Sequence, residues 1–260
     1  KTSRRDFMKL AASASGGLLL GFHWTESAAS SFGQVVEESA LAAGTADFNS
    51  YLSISSEGVI TIFSPNPELG QNIKTSFPMV VAEELDADWS KVKVVQAALD
   101  PKKYERQVTG GSGAMPHSWE RLRKAGATAR HMLVEAASKR WNVPVASLTT
   151  DNSMVIHQES GKKISYGELA TEASRVPVPA EVKLKDKKDF KIIGTAVPNV
   201  DNHEMITGKP LFGLDFYREG MLFAMIQRPE SFGKKIKSVD SAAAKAMPGI
   251  VDVVTFKNNV

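Results

Sequence analysis

A short bend at residues 67–76 combines residue types that bind anions. Gly70 and Gln71 lie between a strand-like run, residues 59–63, and a helix predicted from about residue 72 to residue 86. The first backbone N–H groups of a helix have no partner within the helix, and a glycine leaves room for a ligand to approach them. The bend therefore predicts a site for an anionic group. The alternative is an ordinary strand-to-helix turn that contains a glycine.

A second loop repeats this chemistry about forty residues later. Thr109, Gly110, Gly111 and Ser112 offer hydroxyl and backbone donors with few obstructing side chains. They come shortly before the strongest helix pattern of the chain, predicted over residues 119–141 with Ser118 as its N-cap. Both loops are predicted to face one shared anionic group.

The elements around these loops predict an α+β fold. Residues 51–55 and 59–63 alternate around a glycine turn and predict a β-hairpin, and residues 92–97 predict a further strand. The order of two strands, a helix and a strand places the helix on one face of a sheet. A second β-rich stretch has strands at residues 154–157 and 162–165, followed by a short helix over residues 166–174.

The last part of the chain has a different composition and pattern of predicted elements. Residues 177–191 are rich in proline and lysine, so residues 183–191 are predicted to be a solvated linker rather than a binding patch, with a boundary near residues 195–199. Strands are predicted at residues 211–216, 221–226 and 251–256, and a short helix at residues 241–247. Because the chain stops almost on a strand, it is expected to be a piece of something longer.

Composition excludes several kinds of site. The 260-residue chain has no cysteine, which rules out disulfides, thiolate zinc sites, a cysteine nucleophile and any iron–sulfur cluster held by this chain. A net charge of +3 does not argue for nucleic acid. The five histidines are far apart, so no metal ligand is predicted.

Four acidic residues lie on or just after the predicted helix at residues 72–86. Glu83 and Glu84 are expected to be exposed or salt-bridged rather than to act as acid or base, and Asp86 and Asp88 are expected at the surface.

The first residues match the twin-arginine export pattern. Arg4 and Arg5 are followed by an apolar stretch, residues 11–22, which is too short to span a bilayer. The alternative is an amphipathic helix with two arginines by chance. This export route carries proteins that have folded in the cytoplasm, typically around a cofactor.

Three collinear stretches resemble one family. Residues 68–75 with 81–85, residues 109–112, and residues 206–210, 220–224 and 236–251 are similar to the large, molybdenum-binding subunit of the xanthine dehydrogenase and aldehyde oxidase superfamily. The similarity is greatest to the exported branch typified by the isoquinoline 1-oxidoreductase beta subunit. The third stretch resembles the small "hammerhead" domain of these enzymes.

The resemblance implies a division into domains. It implies a twin-arginine signal at 1–30, a linker at 31–46 and a molybdopterin-binding α+β region at 47–180, in which β-hairpins and a mixed sheet are packed by helices. A linker at 181–199 and a truncated, hammerhead-like α/β domain at 200–260 would follow.

The resemblance also implies chemistry. A molybdenum-pterin cofactor, alone or as its cytosine dinucleotide, would be held at Gly70, Gln71 and residues 109–112. Water would be the oxygen source, and electrons would leave to a small [2Fe-2S] partner subunit. The protein would be periplasmic or exported, and membrane-associated if the signal is retained.

Two departures from the family pattern limit what this stretch can do. Asn72 stands where a second glycine is usual. The family's catalytic Glu, in a Gly-Glu-Pro context, has no counterpart here, so no catalytic residue is expected in this stretch. The alternatives are an exported scaffold that kept the fold without the chemistry, and a cytosolic protein with a chance arginine pair.

Overall fold

The computed structural model describes residues 45–209 and 211–256, with the backbone alone for residues 45–49. The chain divides into two compact units, one ending at Phe212 and one beginning at Gly213. The predicted export signal, including Arg4 and Arg5, lies outside the described residues. The first unit combines helices with two small sheets, so the α+β prediction is confirmed for it.

The larger sheet builds the scaffold for the first bend. Its strands are β1 (Thr45–Asn49), β2 (Leu52–Ser55), β3 (Ile60–Ser64) and β4 (Val92–Gln96), in the spatial order β1-β2-β3-β4. The strands β1, β2 and β3 pair antiparallel, which confirms the predicted hairpin, whereas β3 and β4 pair parallel with Ile60 opposite Val92. Parallel neighbours need a crossover, and helix α1 (Ile73–Leu85) provides it.

Helices cover this sheet as the element order predicted. Beyond α1 the described helices are α2 (Pro101–Tyr104), α3 (Ala114–Trp141), α4 (Tyr166–Ala173), α5 (Asn202–Ile206) and α6 (Ala242–Lys245). Helix α1 contacts β3 and β4, α4 contacts β1 and β2, and α3 packs against both helices. The apolar core lies among these elements, with Phe77, Leu122 and Leu169 fully buried.

Helix α3 begins earlier than the sequence predicted. It starts at Ala114 with Gly113 as N-cap, and Ser118 is a buried residue inside the helix rather than its cap. Pro116 permits this early start, since a proline in the first turn lacks only an N–H that the helix would not use. The second loop therefore leads directly into the helix.

The second sheet is a three-stranded meander. It contains β5 (Leu148–Asp151), β6 (Met154–His157) and β7 (Lys163–Ser165), all antiparallel. The strands β6 and β7 were predicted, but β5 was not, because its four residues contain one apolar side chain. Ser165 then starts α4 through a capping box with Glu168, which confirms the short helix predicted there.

The second unit differs from its prediction. Residues 213–256 contain the short helix α6 and a turn at Gly213–Asp215, and the predicted strands form no ladder among the residues described. Apolar side chains such as Leu214 and Phe223 are 98% and 77% exposed. A strand pattern yields a strand only where a neighbour accepts its backbone hydrogen bonds, so the hammerhead-like domain is not confirmed.

Across the part of the chain that the structure describes, no helix is both long and apolar enough to cross a membrane.

Candidate functional site

The first bend lies exposed at the junction of β3 and α1. Gly70 has a φ of +101°, and a side chain built there would meet no atom within 4 Å, so open space lies over the backbone. Asn72, the N-cap of α1, adopts the left-handed conformation with a φ of 71°. Asparagine tolerates this region, so the departure from the family's second glycine leaves the bend intact.

The amides of this bend are not free, which corrects the prediction that they are left open for an anionic ligand. The carboxylate of Glu68 accepts hydrogen bonds from Gly70 N at 2.7 Å, Asn72 N at 3.0 Å and Lys74 N at 2.9 Å. An internal anion therefore satisfies the start of α1.

The Gln71 side chain also folds back onto the bend. Its Oε1 accepts from Leu69 N at 2.6 Å and its Nε2 donates to Pro67 O at 3.1 Å. The side chain is exposed, so a ligand can reach it from solvent. Each bond uses only one of the two N–H donors and one of the two lone pairs of the Gln71 amide, so the side chain can contact a ligand while it keeps both bonds.

The second loop differs because no side chain caps it. Gly111 and Ser112 have φ angles of 60° and 51°, and Gly110 and Gly111 face open space. Helix α3 has no side-chain hydrogen bond at its N-cap and no acidic residue in its first turn. The positive end of a long helix thus stays without a carboxylate from this chain among the residues described.

A cation lies beside the second loop. A methyl group added at Gly113 would come within 3.0 Å of Arg106 Nη1, which places the guanidinium against the start of α3. Within residues 50–209 and 211–256, no carboxylate forms an ion pair with Arg106. This guanidinium and the glycine amides together favour an anion.

The structure brings the two predicted loops together. Thr109 Oγ1 donates to Pro67 O at 2.7 Å, the same carbonyl that accepts from Gln71. Asn66 Nδ2 donates to Val108 O at 2.8 Å, so the residues just before Pro67 and Thr109 are also joined. All six predicted binding residues therefore belong to two adjacent loops, which are joined by hydrogen bonds at Asn66 and Pro67.

A small cavity of about 280 Å³ opens next to the first bend. Its polar lining includes Glu68, Lys74, Gln96, Gln107 and Asp201. Lys74 Nζ binds Asp201 Oδ1 at 2.7 Å, and both side chains are largely buried. This ion pair holds the first turn of α1 against the residue before α5.

Behind the bend, α1 carries buried acids instead of exposed ones. Glu83 and Glu84 are both 0% exposed, and the Asp86 side chain is 8% exposed. The expectation that Glu83 and Glu84 are salt-bridged is confirmed, and the surface position predicted for Asp86 is wrong. Lys185 Nζ binds Glu83 at 2.9 Å and Asp86 at 2.6 Å, while Arg123 Nε binds Glu84 at 2.6 Å.

The chain at residues 183–193 lies against these acids. Glu83 Oε2 accepts the amides of Lys191, Ile192 and Ile193, and Glu84 accepts that of Lys185. The prediction of a solvated linker is corrected here, because this segment supplies counter-charges to α1. Burial acts to raise the pKa of Glu83, but the Lys185 hydrogen bond and the amide donors outweigh it, so the pKa lies below its ordinary value.

These acids have no free role as acid or base, since each is held by cations or amides. No group of three or more histidine, aspartate or glutamate side chains in the described part of the chain is arranged to hold a metal ion.

Sequence reasoning missed three residues of this site: Asn66, Glu68 as an amide acceptor, and Arg106. An acidic residue just ahead of a helix start is a recognisable capping signal, so the role of Glu68 could have been predicted from the sequence. Asn66 contacts Val108, which is 42 residues away in the chain, and Arg106 lies in an irregular loop ahead of Gly113, so no helical or strand periodicity reports either contact.

Comparison with known proteins assigns this chain to a family. Residues 23–212 match the family model described as "Molybdopterin cofactor-binding domain". The chain is 31% identical over 251 residues to the beta subunit of isoquinoline 1-oxidoreductase from Brevundimonas diminuta, with 82% of this chain and 32% of that protein covered.

Two further relatives agree. The chain is 32% identical to the membrane-bound aldehyde dehydrogenase [pyrroloquinoline-quinone] of Gluconacetobacter polyoxogenes, with 96% and 32% of the two chains covered. It is 29% identical to a subunit of nicotinate dehydrogenase from Pseudomonas putida, with 81% and 18% covered. The chain thus spans a third or less of the length of these relatives. With the family model covering most of its length, the chain belongs to the molybdopterin cofactor-binding domain family of the molybdenum-binding subunits, as the resemblance predicted.

Proposed function

We propose that this chain is the amino-terminal part of the cofactor-binding subunit of an exported molybdenum hydroxylase. The enzyme oxidises an aldehyde or an N-heteroaromatic compound, with water as the oxygen source. The observation that carries the proposal is the pairing of two donor-bearing loops at the Pro67 carbonyl. The relatives' names support the substrate classes, since they specify isoquinoline, an aldehyde and nicotinate.

The residues present fit a cofactor with an anionic end. Open space lies over Gly70, Gly110 and Gly111, so a ligand can approach the backbone closely. The second loop adds uncapped amides beside the Arg106 guanidinium. Asn66 Oδ1 is buried without a hydrogen-bond partner where the two loops meet, so it can accept an N–H of a ligand rather than contact the ligand's anionic end.

Each loop has its own task in this proposal. Thr109, Gly110, Gly111 and Ser112 hold the anionic end, where backbone N–H groups and Arg106 stabilise negative charge. Gln71 contributes an amide side chain from the first bend. When bound, the cofactor supplies the molybdenum centre at which the substrate is oxidised.

The proposal requires a partner. A separate [2Fe-2S] subunit takes the electrons in this proposal, which fits the absence of cysteine from these 260 residues, since they cannot ligate an iron–sulfur cluster through thiolates. The name of one relative includes a different cofactor, pyrroloquinoline quinone.

Elemental and cofactor analysis of the intact complex therefore distinguishes a molybdenum-pterin cofactor from pyrroloquinoline quinone. Molybdenum and a pterin are expected. Neither would be found if the protein were an exported scaffold.

Gln71→Ala in the intact complex is expected to lower molybdenum content or retention. Losing one polar contact to the cofactor weakens retention by about 1–3 kcal/mol, roughly thirtyfold at the middle of that range. Molybdenum per protein, measured by mass spectrometry of the metal, tests this. Gln158→Ala, at an exposed glutamine in the turn after β6, serves as control. Equal metal content in the two variants would remove Gln71 from the site.

Export is proposed through Arg4 and Arg5. Replacing both with lysine is expected to keep the protein inside the cell while it folds normally, because the twin-arginine pathway reads the arginine pair and not charge alone. Fractionation of cells expressing both versions measures this. A doubly substituted protein that still reached the periplasm would support the chance-pair alternative. Whether a retained signal holds the protein at the membrane is read in the same fractions.

A further inference from the structure

Glu68 is not among the six residues proposed to hold the cofactor, yet it organises the whole first bend. Three amides converge on its carboxylate, from Gly70, Asn72 and Lys74. These amides are the donors that a ligand would use at the start of α1. A hydrogen bond to a charged acceptor is roughly twice as strong as one between neutral groups, so an incoming anion would have to displace a well-held carboxylate.

The surroundings of Glu68 favour its staying in place. Lys74, which donates its amide to Glu68, is fixed at its other end by the ion pair with Asp201. The Pro67 carbonyl beside it holds both Gln71 and Thr109. Withdrawing Glu68 would leave the amides of Gly70, Asn72 and Lys74 without their acceptor and would release the bend that sets where Gln71 lies.

We infer that Glu68 is a positioning residue: its carboxylate is the built-in anion of the first bend, so this bend contacts the cofactor through the Gln71 side chain and not through its backbone amides. The inference rests on the proposed cofactor function and divides labour between the loops. The first loop supplies a side chain on a closed bend, and the second supplies open amides.

A first consequence concerns hydrogen exchange. The amides of Gly70, Asn72 and Lys74 are expected to be protected already in the cofactor-free subunit, because Glu68 holds them. Mass spectrometry on overlapping peptides covering residues 66–80 of the intact subunit measures this with and without cofactor. Amides that exchange freely until the cofactor binds would overturn the inference, since the cofactor would then be their partner.

A second consequence concerns variants. Glu68→Gln keeps the shape but loses the charge and one acceptor oxygen, so exchange of these amides is expected to rise roughly tenfold. Glu68→Asp keeps the charge with a shorter reach and is expected to restore protection near Gly70 but not at Lys74. Glu57→Gln, an exposed glutamate in the β2–β3 turn, is the control and should change neither.

Cofactor retention completes the experiment. Glu68→Gln is expected to release molybdenum and pterin several-fold faster than the wild-type complex, with an unchanged melting temperature of the subunit, and Glu68→Asp to restore part of the loss. Slower release from Glu68→Gln would overturn the inference, because Glu68 would then compete with the cofactor for the amides.

Unchanged amide exchange together with unchanged cofactor release in Glu68→Gln would overturn the inference as well. If the wild-type complex contains no molybdenum or pterin, the proposed function fails, while the exchange of the cofactor-free subunit still decides the role of Glu68.

Discussion

Lys185→Met is expected to destabilise the first unit by about 3–5 kcal/mol, as removal of one partner from a buried ion pair does. Lys185 is the cation that Glu83 and Asp86 share, and its side chain is 9% exposed. Methionine fills a similar volume but leaves two buried carboxylates with less compensation. Urea unfolding of the purified chain, followed by circular dichroism, measures the loss.

The pH dependence of this loss has a defined sign. The pKa of Glu83 lies below its ordinary value of 4.5, so its contribution is complete above pH 4.5 and fades as the pH falls through the folded value. Without Lys185 the same carboxyl is easier to protonate, which removes the uncompensated charge. The stability difference between variant and wild type should therefore narrow below pH 4.5.

A matched control lies two residues away. Lys187 is exposed in the same segment, and Lys187→Met is expected to change stability by no more than about 0.5 kcal/mol. If the two variants were equally stable, the segment at residues 183–193 would be a solvated linker after all.

Gly126→Ala is expected to cost about 2 kcal/mol through overpacking, although alanine is the better helix former by about 1 kcal/mol. A Cβ at this position in α3 would lie 2.2 Å from Val81 O and 3.0 Å from Glu84 Cβ, both on α1. The nearest obstacle is backbone, so no side-chain rotation relieves the clash and the two helices must separate.

The same shift reaches the buried acids, because Val81 and Glu84 flank the Glu83 contact with residues 183–193. Thermal unfolding compares Gly126→Ala with Gly213→Ala, whose added methyl would meet nothing within 4 Å. A Gly126→Ala chain that melts at or above the wild-type temperature would show that α1 and α3 do not approach as closely as described.

Local patterns predicted most of the first unit. Alternation identified β2, β3 and β4, and helical periodicity identified α1 to within a residue at each end, because both patterns arise from neighbours along the chain. The start of α3 was missed, since Ser118 looked like a better cap than Gly113. The strands of the second unit were overpredicted for the opposite reason, as apolar alternation does not supply the neighbour that a strand needs.

The burial of the acids of α1 could not be predicted from local sequence patterns. From the sequence, Glu83 and Glu84 were a charged pair in the middle of a helix, and only the path of residues 183–193 across α1 explains their burial. Their partners in residues 183–193 lie roughly one hundred residues away, a distance at which composition and spacing carry no information about contact.

The amino-acid sequence by itself determined the family, the two glycine-bearing bends and the absence of thiolate chemistry, since collinear motifs and residue types are properties of the chain. Only the tertiary structure decided that Thr109 and Gln71 meet at one carbonyl, that Glu68 accepts from the amides of the first bend, and that a side chain at Gly126 would clash with α1. These depend on which atoms the fold brings within hydrogen-bond or van der Waals distance, and that is set by packing rather than by the local order of residues.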